Sequence, residues 1–544
     1  MQFDMAINCR MRGDQVYYLN QPGSRRLLAR YAAGRFFVDK SEIIEEIYEY
    51  ALMVSPFIAI TKPRRFGKTM AANMISAFFS KGQDTSDLFS ELKISGKVQM
   101  MSLMNTFNVF HIDFLPVLSE AKSYAELEKL LTERMKYDIR EAFPQIPAAE
   151  YDGIASLLER TGERFMFIFD EWDAVFEMRY MTDENREAYI HFLRGLFKDR
   201  AYVHLALLTG ILPIAKYTGG SPLNMFHEFN AFGLVGFERY YGYTEDEITE
   251  MIERRHITRP SLEEIGLWYD GYVRRADGVH MFNPDSVNKA LVTGFCQDYW
   301  SGTGNMDDIS NLIAADVFSV RDDIIRMIAG EKISIKLEGF GAVEKVPETR
   351  KDLLSAMVVY GFLTYHEELL SIPNMEVSHK FSRVLDRGTL GLSMTLEHSK
   401  VLLENTLAGN HAAVARQIEI IHDEYIPFIS YSDENSLACV IMYAYYAASE
   451  YYDVRREQPS GKGYVDFLFT PADHRHIPII MELKYNHSAK AAVAQIRKND
   501  YILRFRQYEE VLFVGINYST RTKKHTCLIE RTNFEKETAG DRTV

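Results

Sequence analysis

Two groups of residues in this chain have the types and spacing of phosphate chemistry. The first is Lys62-Pro63-Arg64-Arg65-Phe66-Gly67-Lys68-Thr69, set between the apolar run Phe57-Ile58-Ala59-Ile60 and an amphipathic stretch that begins near Met70. It satisfies the end of the phosphate-loop pattern GxxxxGK[ST] in the strand-loop-helix context which that pattern needs. A glycine there lets the backbone approach phosphate oxygens, and the loop and helix N-terminus supply N–H donors. Lys68 neutralises β- and γ-phosphate charge, and the Thr69 hydroxyl reaches Mg²⁺. Lys62 stands in the place of the pattern's first glycine, so the loop has to turn by another route. Taken alone, Gly67-Lys68-Thr69 also suits an ordinary helix start. Arg64 and Arg65 suit phosphate contacts, contacts to a neighbouring subunit, or plain solvation.

A strand of buried type, Phe165-Met166-Phe167-Ile168-Phe169, ends in Asp170-Glu171 and supplies the acids such a loop lacks. Asp170 is expected to hold the Mg²⁺ of a nucleoside triphosphate, directly or through its water shell, and Glu171 to orient and deprotonate the attacking water. A third apolar run, Val203 to Leu208, ends at Thr209-Gly210. Thr209 is a candidate sensor of the γ-phosphate, or simply the last residue of a strand.

The second group lies near the C-terminus. Asp466 sits in Gly463-Tyr464-Val465-Asp466-Phe467-Leu468-Phe469, and Glu482-Leu483-Lys484 closes the next apolar run, Ile479-Ile480-Met481. Carboxylates on adjacent strands bring two acids, Asp466 and Glu482, onto one divalent ion. Lys484, two residues on, points the same way along the strand and positions water. The arrangement suits phosphodiester hydrolysis; exposed charges at strand ends are the competing reading. Lys484, Lys490, Arg497, Lys498, Arg504, Arg506, Arg521, Lys523 and Lys524 cluster nearby with few acids between them. This cluster is either a phosphate-backbone face or the solvated side of a helix, and it carries no base-reading code.

These residues need elements to hold them. From Phe36 to about Phe237 short apolar runs alternate with amphipathic stretches, which predicts a βαβ sheet over 36–237. Helical periodicity dominates 238–427, with acidic starts such as Thr244-Glu245-Asp246-Glu247. Residues 428–544 are expected to run helix, strand, strand, helix, strand, with the last helix from about Ser488 to Gln507, and 1–35 form an N-terminal extension. The fold expected is thus α/β: a parallel P-loop sheet, a helical lid or linker, and an α/β domain of restriction-endonuclease type. A chain of 544 residues is too long for one core. Its 47% hydrophobic and 25% charged content suits folded domains rather than disorder. A net charge of −14 excludes attraction of nucleic acid to the surface as a whole, so any such contact needs a local basic face. Four scattered cysteines without a CxxC pair argue against a zinc ribbon or a disulfide scaffold and suit a reducing cytoplasm. No apolar run is long enough for a signal peptide or a membrane span, so a cytoplasmic location with no membrane partner is expected.

Phe37-Val38-Asp39-Lys40-Ser41, Pro63 to Thr69, Phe169-Asp170-Glu171 and Leu208-Thr209-Gly210 together resemble the bacterial and archaeal AAA-ATPase-like family that commonly carries a PD-(D/E)xK nuclease-like C-terminus. Trp268-Tyr269-Asp270-Gly271-Tyr272, Phe282-Asn283-Pro284 and Tyr299-Trp300 resemble that family's helical-region signature. Two arginines and an aromatic before GK[ST] are that family's habit, which accounts for the missing first glycine. The resemblance implies ATP and Mg²⁺ as cofactors and nucleic acid, DNA or RNA, as a partner of the C-terminal domain, in defence or mobile-element biology. It also implies self-association, although no heptad seam specifies one. Gln495 and Tyr501 resemble the glutamine and tyrosine that such nuclease-like domains carry, and Glu434 resembles an acid completing their metal shell. Asp39 and Lys40 suit placing the nucleotide base, but Asp39 is expected to be a helix N-cap instead, and the Trp268 to Tyr272 cluster to serve packing and a turn. The alternative function is a nucleotide-dependent switch or scaffold whose nuclease-like domain only binds.

Overall fold

A computed structural model of the chain describes residues 17–146, 153–214, 223–300, 309, 311–313, 318, 320–328, 331–342, 347–386, 390–425, 434–460, 463–473, 475–498, 505 and 508–533. Its contacts group into two compact units. The first is Met1–Glu247 with Arg274–Val279 and Leu337–Gly361; the second is Ile248–Val273, His280–Lys336 and Phe362–Val544.

In the first unit β1 (Phe57–Thr61), β2 (Asn108–Asp113), β3 (Phe165–Asp170), β4 (Val203–Gly210) and β5 (His227–Phe229) form one sheet in the order β2-β3-β4-β1-β5. Every pairing is parallel. Strands β1, β3 and β4 are nearly continuous apolar runs because both faces of a parallel sheet are covered. On one face Ala59, Leu208, Phe169 and Ile112 lie in register across four strands. They join one core with the helices α3 (Tyr124–Ala142), α4 (Ile154–Thr161) and α5 (Asp183–Phe197), through Leu127, Leu131, Leu157, Leu193 and Phe197. The other face carries the neighbouring register row Ile60, Thr209, Asp170 and Asp113. Helices α1 (Gly23–Ala32) and α2 (Lys68–Phe79) belong to that face. Ser24 of α1 hydrogen-bonds both Ser76 of α2 and His111 of β2, and His111 stands two residues before Asp113 on the same side.

Residues ahead of the phosphate loop are tied into this unit. The buried Asp138 carboxylate accepts backbone N–H groups from Tyr17, Tyr18 and Leu19 at 2.8, 2.6 and 3.0 Å. Asp39 accepts from Ser41 N at 2.8 Å and Lys93 N at 2.6 Å. It therefore serves the turn before the helix Ile43–Met53, whose N-cap is Glu42, rather than capping that helix itself.

The second unit holds a helical region and a five-stranded mixed sheet. β6 (Tyr452–Ser460), β7 (Gly463–Pro471), β8 (Ile479–Tyr485), β9 (Glu510–Ser519) and β10 (Lys524–Asn533) pair in sequence order. Only β8 and β9 run parallel. Helix α6 (Glu434–Ala444) packs on one face through Leu437 and Ile441, against Met481, Leu483 and Ile516. Helix α7 (Ala489–Lys498) packs on the other through Val493 and Ile496, against Ile480 and Phe513. The expected order gains two strands, β6 and β10. Both are edge strands with much polar sequence, which hides the apolar run that marks a strand.

The Trp268 to Tyr272 segment is packing and turn. Tyr269 is fully buried with its hydroxyl on Gln297 O at 2.9 Å. A Cβ on Gly271, at φ +103, would sit 1.9 Å from Pro373 O. Asn283 caps the helix Pro284–Thr293, accepting from Asp285 N and Ser286 N.

Candidate functional sites

The phosphate loop leaves β1 and enters α2 through two left-handed residues, Arg65 at φ 71 and the N-cap Gly67 at φ 91. Gly67 has open space around it, so backbone conformation rather than crowding asks for glycine there. Lys62, in place of the missing glycine, extends the β1–β4 pairing by one residue, its N–H bonding Gly210 O at 3.1 Å. Burial holds the Lys62 ammonium below its ordinary pKa while Glu238 pulls the other way. Lys68 is buried and folded onto its own loop, donating to Lys62 O at 3.0 Å and Pro63 O at 3.1 Å. Phe66 is buried, and Arg64 lies 3.3 Å from Glu177.

Asp170 is 1% exposed. Its Oδ1 accepts the Thr209 hydroxyl at 2.5 Å and the Glu171 N–H at 3.2 Å, whereas Oδ2 is buried with no protein partner. Thr209 thus orients Asp170. Glu171 follows with φ 55, a strained conformation for a residue with a side chain. Burial pushes its pKa up to about 7, opposed by Lys68 and reinforced by Asp173 and Asp170. The loop lysine and the strand-tip acids therefore act on one another, with Asp170 on the sheet face that α2 covers.

Three further polar residues belong to the surroundings of Asp170 without a signature in the sequence. Asp173 is buried, and its Oδ2 accepts from Ile211 N at 3.1 Å and Leu212 N at 2.7 Å, bracing the β3 tip against the β4 tip. A Cβ on Gly210 would meet Asp173 Oδ1 at 2.1 Å, so that brace requires the glycine. The buried Tyr241 hydroxyl has no partner and senses Asp170, and so does the His111 imidazole. The only hint was the polarity of His111 and Asp173 within apolar surroundings.

In the second unit, β7 and β8 are antiparallel with Phe467 opposite Met481, so Asp466, one residue before Phe467, and Glu482, one residue after Met481, continue that register across the two strands. Asp466 Oδ2 accepts Leu483 N at 2.7 Å. Glu482 is 1% exposed, and its Oε1 accepts from Gln495 Nε2 of α7 and lies 3.5 Å from Lys484 Nζ. Lys484 also donates to Leu483 O at 2.7 Å. Glu482 Oε2 is buried and has no partner. Burial and the nearby Asp466 charge raise the Glu482 pKa to about 8, against the pull of Lys484. The structure therefore brings Asp466, Glu482, Lys484 and Gln495 together. Glu434 opens α6 but its side chain lies outside the described residues, as do Tyr501, Arg504 and Arg506. Within the basic cluster, Arg497 pairs with Glu530 at 2.6 Å.

Each centre keeps a buried carboxylate oxygen unsatisfied at its strand-end acid, Asp170 Oδ2 and Glu482 Oε2, and Asp173 Oδ1 adds a second in the first. A buried charge without a partner is unfavourable, and a hard cation satisfies it, so both donor sets fit Mg²⁺. Among the described residues no group of three or more His, Cys, Asp or Glu is arranged to hold a metal ion. Among the described residues no helix is long and apolar enough to cross a membrane.

Residues 30–218 match the family described as predicted AAA-ATPase, and residues 432–526 match the PD-(D/E)XK nuclease superfamily. No curated protein matches the chain. Among solved structures, the Walker-type ATPase PABY2304 of Pyrococcus abyssi aligns at 16% identity and TM-score 0.32, over 63% of this chain and 96% of that one. The ORC2 protein of Aeropyrum pernix, in its ADPNP–ADP complexes, aligns at 10% identity and TM-score 0.26, over 81% of this chain and 93% of that one. The chain thus joins an AAA-ATPase-like domain to a domain of the PD-(D/E)XK nuclease superfamily.

Proposed function

We propose that this protein binds and hydrolyses ATP at the first site and cuts nucleic acid in a metal-dependent reaction at the second, with nucleotide turnover gating the cut. The observation that carries the first half is Asp170. It lies on the sheet face of α2, is oriented by Thr209 and keeps one buried oxygen open. In this reading Lys68 exchanges the Lys62 and Pro63 carbonyls for β- and γ-phosphate oxygens, and the loop N–H groups cradle the phosphates. Thr69 and Asp170 would hold Mg²⁺, which when bound neutralises developing phosphate charge. Glu171 takes the proton of the attacking water; a pKa of about 7 suits a base working near neutrality. At the second site Asp466 and Glu482 would hold the divalent ion, Gln495 fixes Glu482, and Lys484 positions the hydrolytic water.

Lys68→Ala is expected to abolish ATP binding, and Glu171→Gln to keep binding while stopping turnover. Normal ATP affinity in Lys68→Ala refutes the nucleotide site. With Mg²⁺ or Mn²⁺ the purified protein is expected to nick DNA or RNA. Glu482→Ala and Lys484→Ala are expected to lose cutting with ATP turnover intact; cutting retained in either rejects that site. No cutting by the wild type over a range of metals and substrates would leave the chain a nucleotide-dependent switch with a binding module.

A further inference from the structure

His111 is 4% exposed, and its two nitrogens have different fates. Nδ1 lies 2.7 Å from Ser24 Oγ, and Ser24 Oγ donates to Ser76 Oγ at 3.1 Å. A serine hydroxyl has one proton, and with Ser24 donating to Ser76 it accepts from the imidazole. That assignment puts the histidine proton on Nδ1 and leaves Nε2 a bare lone pair. Nε2 is buried and has no partner. Burial depresses the ring's pKa to about 4, so it is neutral at neutral pH, and the Asp170 carboxylate acts on it. His111 and Asp170 stand on one face of adjacent strands, His111 opposite Ile168 and Asp113 opposite Asp170. His111 Nε2 and Asp170 Oδ2 are therefore two buried atoms without a partner on the same face of adjacent strands. Neither satisfies the other. A water held on a cation satisfies both, because the cation takes the carboxylate and the polarised water donates to the imidazole.

We propose that His111 is a positioning residue for the divalent ion of the nucleotide: its Nε2 accepts a hydrogen bond from a water bound to the ion that Asp170 holds, and Ser24 and Ser76 lock the ring in the required tautomer. The proposal rests on the nucleotide reading above. It assigns a task to helix α1, whose Ser24 precedes the segment matched by the ATPase family. The lock spans three elements, since Ser76 belongs to the helix that follows the phosphate loop.

The test is equilibrium binding of a fluorescent ATP analogue to the full chain, once with Mg²⁺ and once in EDTA. His111→Phe keeps a ring and removes the acceptor. It is expected to lose about tenfold of the Mg²⁺-dependent tightening, at the low end of the effect of losing a partner behind a metal's ligands, with affinity in EDTA unchanged. His111→Gln, which returns a carbonyl acceptor, is expected to recover part of the loss, and Ser24→Ala to lose less than His111→Phe. Unchanged Mg²⁺ dependence in His111→Phe overturns the proposal and leaves His111 an ordinary buried ring. Equal losses in Mg²⁺ and EDTA overturn it too, since they mark a packing role. Lys68→Ala separates the two levels. If it binds normally the nucleotide site itself is wrong, whereas loss in Lys68→Ala beside an indifferent His111→Phe sinks the His111 role alone.

Discussion

At the scale of single residues, both centres share one device: a carboxylate buried more deeply than its charge favours, with one oxygen bonded and the other open. Asp170 and Glu482 show it directly. Glu376 in the second unit shows the contrasting case, a buried acid whose oxygens both accept from Ser286 Oγ and one of which also accepts Tyr299 N. Burial raises its pKa from an ordinary 4.5 to about 7. The folded state then holds the proton more tightly than the unfolded chain between those two values. Its contribution to stability is complete below 4.5 and is lost as pH rises through about 7. Melting followed by calorimetry is expected to show the second unit weakening from pH 5 to pH 8, as a rough window set by that linkage. Glu376→Gln is expected to reduce the dependence and leave the part that belongs to Glu482, whose pKa is also raised; an unchanged slope in that variant would assign all of it to other groups. Asp170 and Thr209 were legible in the sequence because each ends an apolar run. Asp173 and His111 were not, because their partners, Leu212 N and Ser24 Oγ, are remote in the chain.

At the scale of elements, the central strands declared themselves and the edges did not. β1, β3, β4, β8 and β9 are apolar runs, whereas Tyr452-Asp453-Val454-Arg455-Arg456 of β6 reads as surface. The contact of α7 with β9 depends on Gly515: a Cβ there would lie 2.3 Å from Ala489 O and 2.9 Å from Val493 Cγ2. The first of these is backbone at the helix start, so it yields only if the helix moves. Gly515→Ala is therefore expected to lift α7 from the sheet and cost about 1–3 kcal/mol of stability, the usual price of overpacking. Gln495 would part from Glu482, with a loss of divalent-ion binding at the second site measurable by titration with Mn²⁺. A Gly515→Ala protein with wild-type stability and Mn²⁺ affinity would show that this helix is held elsewhere.

At the scale of the molecule, the first unit is not one stretch of chain. It recruits residues 337–361, whose Phe340, Ala342, Ala356 and Val359 lie in the core shared with α3 to α5. Ala342 N donates to Pro213 O at 2.7 Å, and Arg186 Nη1 donates to Ala342 O at 3.3 Å. A fragment of residues 1–247 would leave that apolar surface bare. It is expected to bind a hydrophobic dye and aggregate on warming where the full chain does not. A fragment that melts cooperatively and stays monomeric would show the returning segment to be dispensable.

The sequence by itself determined the local chemistry: a phosphate loop opening a helix, two acids at the end of a buried strand, and an acid-x-lysine closing another. Those patterns lie within a few residues of one another and follow from strand and helix periods. Only the tertiary structure decided which groups converge. It set Asp170 beside Thr209, placed His111 against Ser24, braced Asp173 under Gly210 and brought 337–361 back into the first core. Each of these is a contact between residues far apart in the chain, made by strand register and packing, and no periodicity along the chain encodes it.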